Sequence, residues 1–241
     1  MPDIAINNLY SRYGRKKDDP YILKGLTTKF HRNNINAIIG QSGEGKTTLI
    51  KCIAGLIPYE GEIYFDETNL KYLSIRKRNI AYVSQNIILY PHMTIFNNIA
   101  NPLTNMMISG NEIKERVYEV AKLFHIENIL SRKPKEISIG QASRVSLARA
   151  LIKRPYVYLL DEPFSNLDPL LAESLYYELK EIFKSLNATV ILITHDIKES
   201  FLIGDIIYTL HDGIIVDSGT QEEIMVSEVT YTKELLKNAE L

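Results

Sequence analysis

Gly40-Gln41-Ser42-Gly43-Glu44-Gly45-Lys46-Thr47 decides the fold, because it fits G-x-x-x-x-G-K-[ST] and stands between two elements of different period. Before it, Ala37-Ile38-Ile39 is a short apolar run closed by Gly40, which reads as a buried strand. After it, Leu49, Ile53 and Leu56 recur at helical spacing over Thr47 to Ile57. Strand, glycine loop and helix is the setting in which backbone N–H groups converge on phosphate oxygens, and the helix N-terminus adds partial positive charge. Lys46 is placed to bridge β- and γ-phosphates and Thr47 to ligate Mg²⁺. Gly40, Gln41, Ser42, Gly43, Glu44, Gly45 and Thr48 complete the expected phosphate-binding set. A carboxylate inside such a cradle would repel its ligand, so the Glu44 side chain is expected to point outward. The competing reading, a glycine-rich turn that only caps a helix, fits neither flank as well.

Two further apolar runs, Tyr156 to Leu160 (YVYLL) and Thr189 to Thr194 (TVILIT), read as strands of a parallel sheet covered on both faces. Between them a helix is expected over Pro169 to Leu186, with Leu171, Leu175, Leu179, Ile182, Phe183 and Leu186 on one stripe and Pro169 in its first turn. Strand, helix, strand implies a right-handed parallel crossover. The first of these strands ends in Leu159-Leu160-Asp161-Glu162, which puts two carboxylates at the C-terminal sheet edge where ligands of such folds gather. Asp161 fits a residue that holds Mg²⁺ indirectly, and Glu162 a base that orients and deprotonates the attacking water. Paired acids after a strand also serve as plain helix N-caps, but beside a phosphate loop the chemical role is preferred.

The first 35 residues and Gly61 to Phe65 (GEIYF) alternate instead, which indicates an antiparallel sheet beside the parallel core. From about 95 to 137 no buried-strand pattern occurs, while Ile113, Val117, Val120, Ala121 and Phe124 recur at helical spacing. The expected α/β chain is thus one domain over 1–241. Its nucleotide-binding core is a mixed sheet at about 1–94 and 138–241, with an N-terminal antiparallel β subdomain and a helical subdomain inserted at about 95–137. Arg76-Lys77-Arg78 reads as a solvated face.

Composition closes off other classes. With 241 residues, 45% hydrophobic and 24% charged, the chain is an ordinary globular one, and disordered or fibrous readings fail. The balance of 28 Lys+Arg against 29 Asp+Glu argues against binding driven by long-range attraction to nucleic acid, and no nucleic-acid partner is expected. A single cysteine, Cys52, asks for no oxidising compartment. No apolar run reaches the length of a membrane span, and Met1-Pro2-Asp3 does not open a signal peptide. The expectation is a cytoplasmic protein whose membrane contact, where it has one, is peripheral.

Loop, helix and two acids mark a large class, the P-loop nucleoside triphosphatases, and the intervening segments narrow it. Gln85 in Tyr82-Val83-Ser84-Gln85, Ser138-Ile139-Gly140-Gln141 leading into Arg144-Val145-Ser146-Leu147-Ala148-Arg149-Ala150-Leu151, Ser165-Asn166-Leu167-Asp168 and Thr194-His195-Asp196 follow in order. They resemble the Q-loop, signature segment, D-loop and H-loop of the ATP-binding cassette ATPases, and the resemblance covers nearly the whole chain. It implies an ATPase that uses ATP and Mg²⁺. Gln85 would touch Mg²⁺ and the attacking water, and His195 the γ-phosphate. Ser138, Gly140, Gln141 and Asp168 would complete a site shared across a dimer. An aromatic residue near the N-terminus would stack on adenine: Tyr13 resembles that element, with Tyr21 and Tyr10 as rivals because residues 15–20 shift the register. Positioned donors of this kind dominate phosphoryl-transfer catalysis. The other histidines, His31, His92, His125 and His211, carry no comparable context.

One position departs from the family pattern. Leu-Ser-Gly-Gly-Gln is expected where this chain has Ile137-Ser138-Ile139-Gly140-Gln141, and if position 139 needs positive φ, isoleucine there costs about 1–2 kcal/mol. Reduced rather than abolished hydrolysis is then expected.

The resemblance further implies the motor subunit of a membrane transporter, paired with a second cassette ATPase subunit, identical or not, and with transmembrane permease subunits. Asn86 to Leu103 resembles the segment that faces permease loops in importers, so import, with a solute-binding protein as a further partner, is favoured over export. Two alternatives share the nucleotide chemistry: a cassette ATPase of repair, translation or cluster assembly, and a nucleotide-switched binding module.

Overall fold

Ile35, Ala37, Ile38 and Ile39 are all buried, and the strand they form, β3 (Ile35–Ile39), lies inside a six-stranded sheet as its continuous apolar run requires. In the computed structural model, which describes residues 1–12, 19–104, 106–165 and 167–240, the described residues form ten strands and eight α-helices. The larger sheet also contains β6 (Ile80–Val83), β7 (Val157–Asp161), β8 (Thr189–Ile193), β9 (Ile206–His211) and β10 (Ile214–Gly219), in the order β10-β9-β3-β8-β7-β6. Its pairings are parallel except β10 with β9, which makes the sheet mixed. Beside it, β1 (Ile4–Ser11), β2 (Leu23–Phe30), β4 (Glu60–Phe65) and β5 (Thr68–Asn69) form an antiparallel sheet ordered β2-β1-β4-β5.

Helix α1 (Lys46–Ala54) lies between the two sheets, where Leu49, Ile50 and Ile53 share one core with Ile6, Leu26 and Leu159. It is shorter than its sequence period suggests. Gly55 takes the left-handed conformation and ends the helix, so Leu56 is exposed. Arg78 explains the abrupt stop and departs from the solvated face expected of its cluster, on which Arg76 and Lys77 do lie: it is only 6% exposed, and its guanidinium donates to the Cys52 and Ile53 carbonyls at 3.2 and 2.8 Å and to Leu70 O at 3.0 Å. A cation there satisfies orphan carbonyls and complements the negative end of the helix.

Residues 95–137 contain α2 (Ile95–Ala100), α3 (Gly110–Leu123) and 3₁₀ turns, with no strand among the described residues. Val117, Val120, Ala121 and Phe124 are buried, as their spacing requires, in a core shared with α4 (Ile139–Leu151) and α5 (Pro169–Ser185). Helix α5 buries Leu175, Leu179, Ile182 and Phe183, but Leu171 at its first turn stays exposed and lies over Gly140. The chain closes with α6 (Ile197–Ile203), α7 (Gln221–Met225) and α8 (Thr230–Asn238), and Ile197, Ile224 and Leu236 pack on Ala37 and Ile39 from the other face of the sheet. No helix among the described residues is long and apolar enough to cross a membrane.

Candidate functional site

The C-terminal edge of the large sheet gathers the chemistry-bearing residues. The turn between β3 and α1 and the ends of β6, β7 and β8 all open on this edge, at a cleft of about 490 Å³ lined by Ser42, Gly43, Lys46, Gln85, Glu162 and His195 among others. The turn needs its glycines. A Cβ on Gly40 would meet Leu210 O at 2.4 Å, and Gly45, at φ +107°, would press one on Leu23 and Ile22 at about 3.0 Å. A Cβ on Gly43 would meet nothing within 4 Å, but its φ of +92° favours glycine, and the residue lines the cleft.

Lys46 is 6% exposed, and its Nζ donates to Gly40 O at 2.6 Å and Gln41 O at 2.9 Å, which holds the ammonium over the loop. Burial pushes its pKa below the ordinary value, against the opposing pull of Glu162, Glu44 and Asp161. Glu44 points outward as expected: the backbone N–H of Asp212 donates to its carboxylate, and His211 Nδ1 lies 3.0 Å from Oε1.

Thr47 Oγ1 donates to Asp161 Oδ1 at 2.9 Å, and Tyr82 OH donates to Oδ2 at 3.1 Å. Burial lifts the Asp161 pKa above the ordinary value, with both donors working the other way. A hydroxyl and a carboxylate from two different elements, desolvated and 2.9 Å apart, make a hard oxygen donor pair that fits Mg²⁺. The relevance of Tyr82 is not visible in the sequence, where it stands only as the start of the run Tyr82-Val83-Ser84-Gln85, far from Asp161.

Glu162 begins the turn after β7 at φ +46°, a left-handed conformation that costs a residue with a Cβ about 1 kcal/mol or more and is held by its N–H donating to Ile193 O at 3.0 Å. The turn brings the carboxylate between two partners. Gln85 Nε2 donates to Oε2 at 2.8 Å, and His195 Nδ1 lies 3.4 Å from the same oxygen. The structure thus unites Lys46, Thr47, Asp161, Gln85, Glu162 and His195 at one mouth. The segment carrying His195 is braced from behind, where Thr194 Oγ1 and Tyr176 OH both donate to Glu199 and Asp196 N donates to Thr194 Oγ1 at 3.1 Å.

Ser138, Ile139, Gly140 and Gln141 do not line that cleft. Ser138 caps α4, with its Oγ accepting from Gln141 N at 3.2 Å while Ser138 N donates to Gln141 Oε1 at 3.0 Å, a reciprocal capping box. Ile139 occupies the first helical position, does not have positive φ, and is 54% exposed. The backbone strain that would follow from a positive φ at this position is therefore absent. Asp168 caps α5, accepting from Leu170 N at 3.1 Å and Leu171 N at 3.4 Å. Tyr13 lies outside the described residues. Of its rivals, Tyr21 is engaged, donating to Glu60 at 2.9 Å beneath the Arg12 guanidinium, and Tyr10 meets the Tyr21 ring edge-on at 5.3 Å.

Residues 23–165 match the family model described as "ABC transporter". The chain is 42% identical over 220 residues to the glucose import ATP-binding protein GlcV of Saccharolobus solfataricus, covering 86% of this chain and 62% of that protein. It is 38% identical over 224 residues to the spermidine/putrescine import ATP-binding protein PotA of Legionella pneumophila, covering 92% and 60%. It therefore spans about three fifths of the length of these curated relatives. Among solved structures, cbiO1 of Clostridium perfringens, part of the ABC transporter complex cbiONQ, is similar with TM-score 0.85 at 28% identity, covering 98% of this chain and 93% of that one. The dimeric ATP-binding cassette MJ0796 bound to ADP and Pi is similar with TM-score 0.79 at 30% identity, covering 90% and 98%.

Proposed function

The chain belongs to the ABC transporter family, and on that premise we propose that it binds and hydrolyses Mg-ATP and powers import through a membrane permease. The observation that carries the reading is the convergence of Lys46, the Thr47–Asp161 pair and the Gln85–Glu162–His195 group at one cleft.

Loop amides and the Lys46 ammonium bind and orient the β- and γ-phosphates. Thr47 and Asp161 would hold Mg²⁺, which when bound neutralises charge that builds on the phosphate oxygens. Glu162 accepts a proton from the attacking water, and Gln85, already donating to Glu162, keeps that carboxylate and the water in line. His195 donates to the γ-phosphate as charge grows there, and the brace on Glu199 fixes the segment that presents it.

Ser138, Gly140, Gln141 and Asp168 act on the nucleotide of a second cassette subunit. None of the four lines the cleft that holds Lys46 and Glu162, which supports this assignment, as does the dimeric state of the similar cassette MJ0796. The permease contact falls near Asn86 to Leu103. Ile88 and Tyr90 are exposed there, beside a groove of about 230 Å³ lined also by Ser84, Ser146 and Lys153. Arg149 supports this surface by donating to Ile88 O at 2.6 Å with its guanidinium over the Tyr90 ring. Import is favoured because the two curated relatives are named as import subunits. The subunit then sits on the cytoplasmic face of the membrane, and a solute-binding protein feeds the permease.

Purified protein should release phosphate from Mg-ATP, lose that activity on Lys46→Ala, and co-purify with a multi-span membrane protein from detergent-solubilised membranes of its source. Phosphate release that Lys46→Ala leaves unchanged would overturn the hydrolytic reading, and recovery only in a membrane-free complex would overturn the transport reading.

A further inference from the structure

We infer that Tyr231, on the carboxyl-terminal helix, is a positioning residue for the phosphate loop, so that nucleotide affinity depends on the docking of that helix. The inference rests on the reading that this loop binds Mg-ATP.

The loop is pinned from outside at two points, its second and fifth positions. Tyr231 OH accepts from the backbone N–H of Gln41 at 3.0 Å and lies 3.5 Å from Glu44 Oε1. His211 stacks on the Tyr231 ring, with centroids 3.9 Å apart and planes at 23°, and its Nδ1 lies 3.0 Å from the same Glu44 oxygen. Asp212 N donates to the other oxygen of Glu44. Gln41, Tyr231, His211 and Glu44 therefore close a ring of contacts around the outer side of the turn. Every outside member of that ring comes from the last 31 residues.

The ring constrains which loop atoms face the cleft. With Gln41 N–H and the Glu44 carboxylate turned outward, Ser42, Gly43, Gly45 and Lys46 are left to line the phosphate cleft. The helix that carries Tyr231 is itself firmly seated. Leu236 packs on the face of β3 that ends in Gly40, and Thr232 Oγ1 donates to Asp217 at 2.8 Å on β10. Helix docking, loop shape and phosphate binding thus form one connected chain of contacts. A loop held in its binding geometry needs less ordering when the ligand arrives, so releasing the clamp weakens binding without altering the groups that act on the γ-phosphate.

Tyr231→Phe removes the hydroxyl and keeps the ring on His211. Loss of one such hydrogen bond shifts an equilibrium by about three- to tenfold. The expected result is a rise of that size in the Kd for Mg-ADP and the KM for ATP, with kcat within about twofold. The Gln41 amide should exchange its hydrogen faster while amides in β7 do not. Leu236→Ala, which loosens the helix as a whole, should raise the same Kd, and Lys233→Ala on the exposed side of the helix should leave it unchanged. Wild-type Kd in Tyr231→Phe, or a loss confined to kcat, overturns the inference. Should Lys46→Ala bind Mg-ADP as tightly as wild type, the reading of the site itself falls, and the inference with it.

Discussion

Replacing Glu162 by glutamine separates hydrolysis from binding, because the structure lets the amide occupy the carboxylate's place almost unchanged. With the introduced amide oxygen at the Oε2 position, Gln85 Nε2, now 2.8 Å away, can still donate to it, and His195 Nδ1, now at 3.4 Å, faces the same oxygen. Turning a charge-assisted hydrogen bond into a neutral one forfeits about 1 kcal/mol, roughly fivefold in an equilibrium. Against that loss stands the removal of a negative charge facing the cleft, which favours a bound triphosphate. ATP affinity should therefore stay within about fivefold of wild type. Hydrolysis loses its proton acceptor, an effect of about 10²- to 10⁴-fold. The assay is single-turnover hydrolysis of radiolabelled Mg-ATP beside equilibrium binding of the same nucleotide, with sedimentation to follow association of the ATP-loaded protein. A rate within about threefold of wild type would refute the assignment of Glu162 as base, and a joint loss of rate and affinity would make it a binding residue instead.

Thr47→Val keeps the shape of the helix start but removes the hydroxyl that meets Asp161, so ADP affinity measured with Mg²⁺ should fall by about tenfold or more and affinity in EDTA should not. Because burial depresses the Lys46 pKa below 10.5 and the ammonium is the binding form, ATP affinity should be lost as pH rises through a midpoint below 10.5. A flat titration to that pH would contradict the role of Lys46, and Lys46→Arg, which stays charged, should remove the alkaline limb. Ile139→Gly relieves no backbone strain, so the isolated subunit should lose up to about 1 kcal/mol by denaturant melts rather than gain stability. The same variant should hydrolyse ATP faster, because it removes an exposed apolar side chain from the segment proposed to face a second subunit's nucleotide; an equal or lower rate counts against that placement.

The parts that were legible in the sequence are those in which one local pattern has one physical solution. A buried apolar strand, glycines and a helix start over 37–49 admit little besides a phosphate loop, and Asp161-Glu162 at a strand end follow the same logic. What escaped was decided by residues distant in sequence. Arg78 looks like a surface cation until the carbonyls of α1 and Leu70 are seen around it. His211 and Tyr231 carry no motif, and only the outward turn expected of Glu44 hinted that something must receive that carboxylate. Tyr82 sits in a short strand with no acid near it in sequence, and its hydroxyl gains meaning only because β6 pairs with β7 and brings it to Asp161. At Ile139 the cost of a β-branched residue at positive φ does not arise, since Ile139 starts a helix and does not have positive φ.

The site groups are almost all satisfied within the single chain, and that bears on how tightly nucleotide can bind. Lys46 donates to loop carbonyls, Thr47 to Asp161, Gln85 to Glu162, and Ser138 and Gln141 cap each other. Each of these donors can exchange its internal acceptor for a phosphate oxygen or a metal-bound one. Binding then replaces one hydrogen bond by a stronger, charge-assisted one, with little new desolvation of protein groups and few side chains to reorder. The Ser138–Gln141 box differs from the others, because breaking it unpairs a helix N-terminus, which costs about 1 kcal/mol in a monomer. Under the proposed pairing that cost would be offset when a second subunit brings its phosphate to the same N-terminus, where a helix start favours an anion. On the proposed pairing, closure of two chains on nucleotide would be opposed in the free subunit and favoured in the loaded pair, which would make association depend on the γ-phosphate.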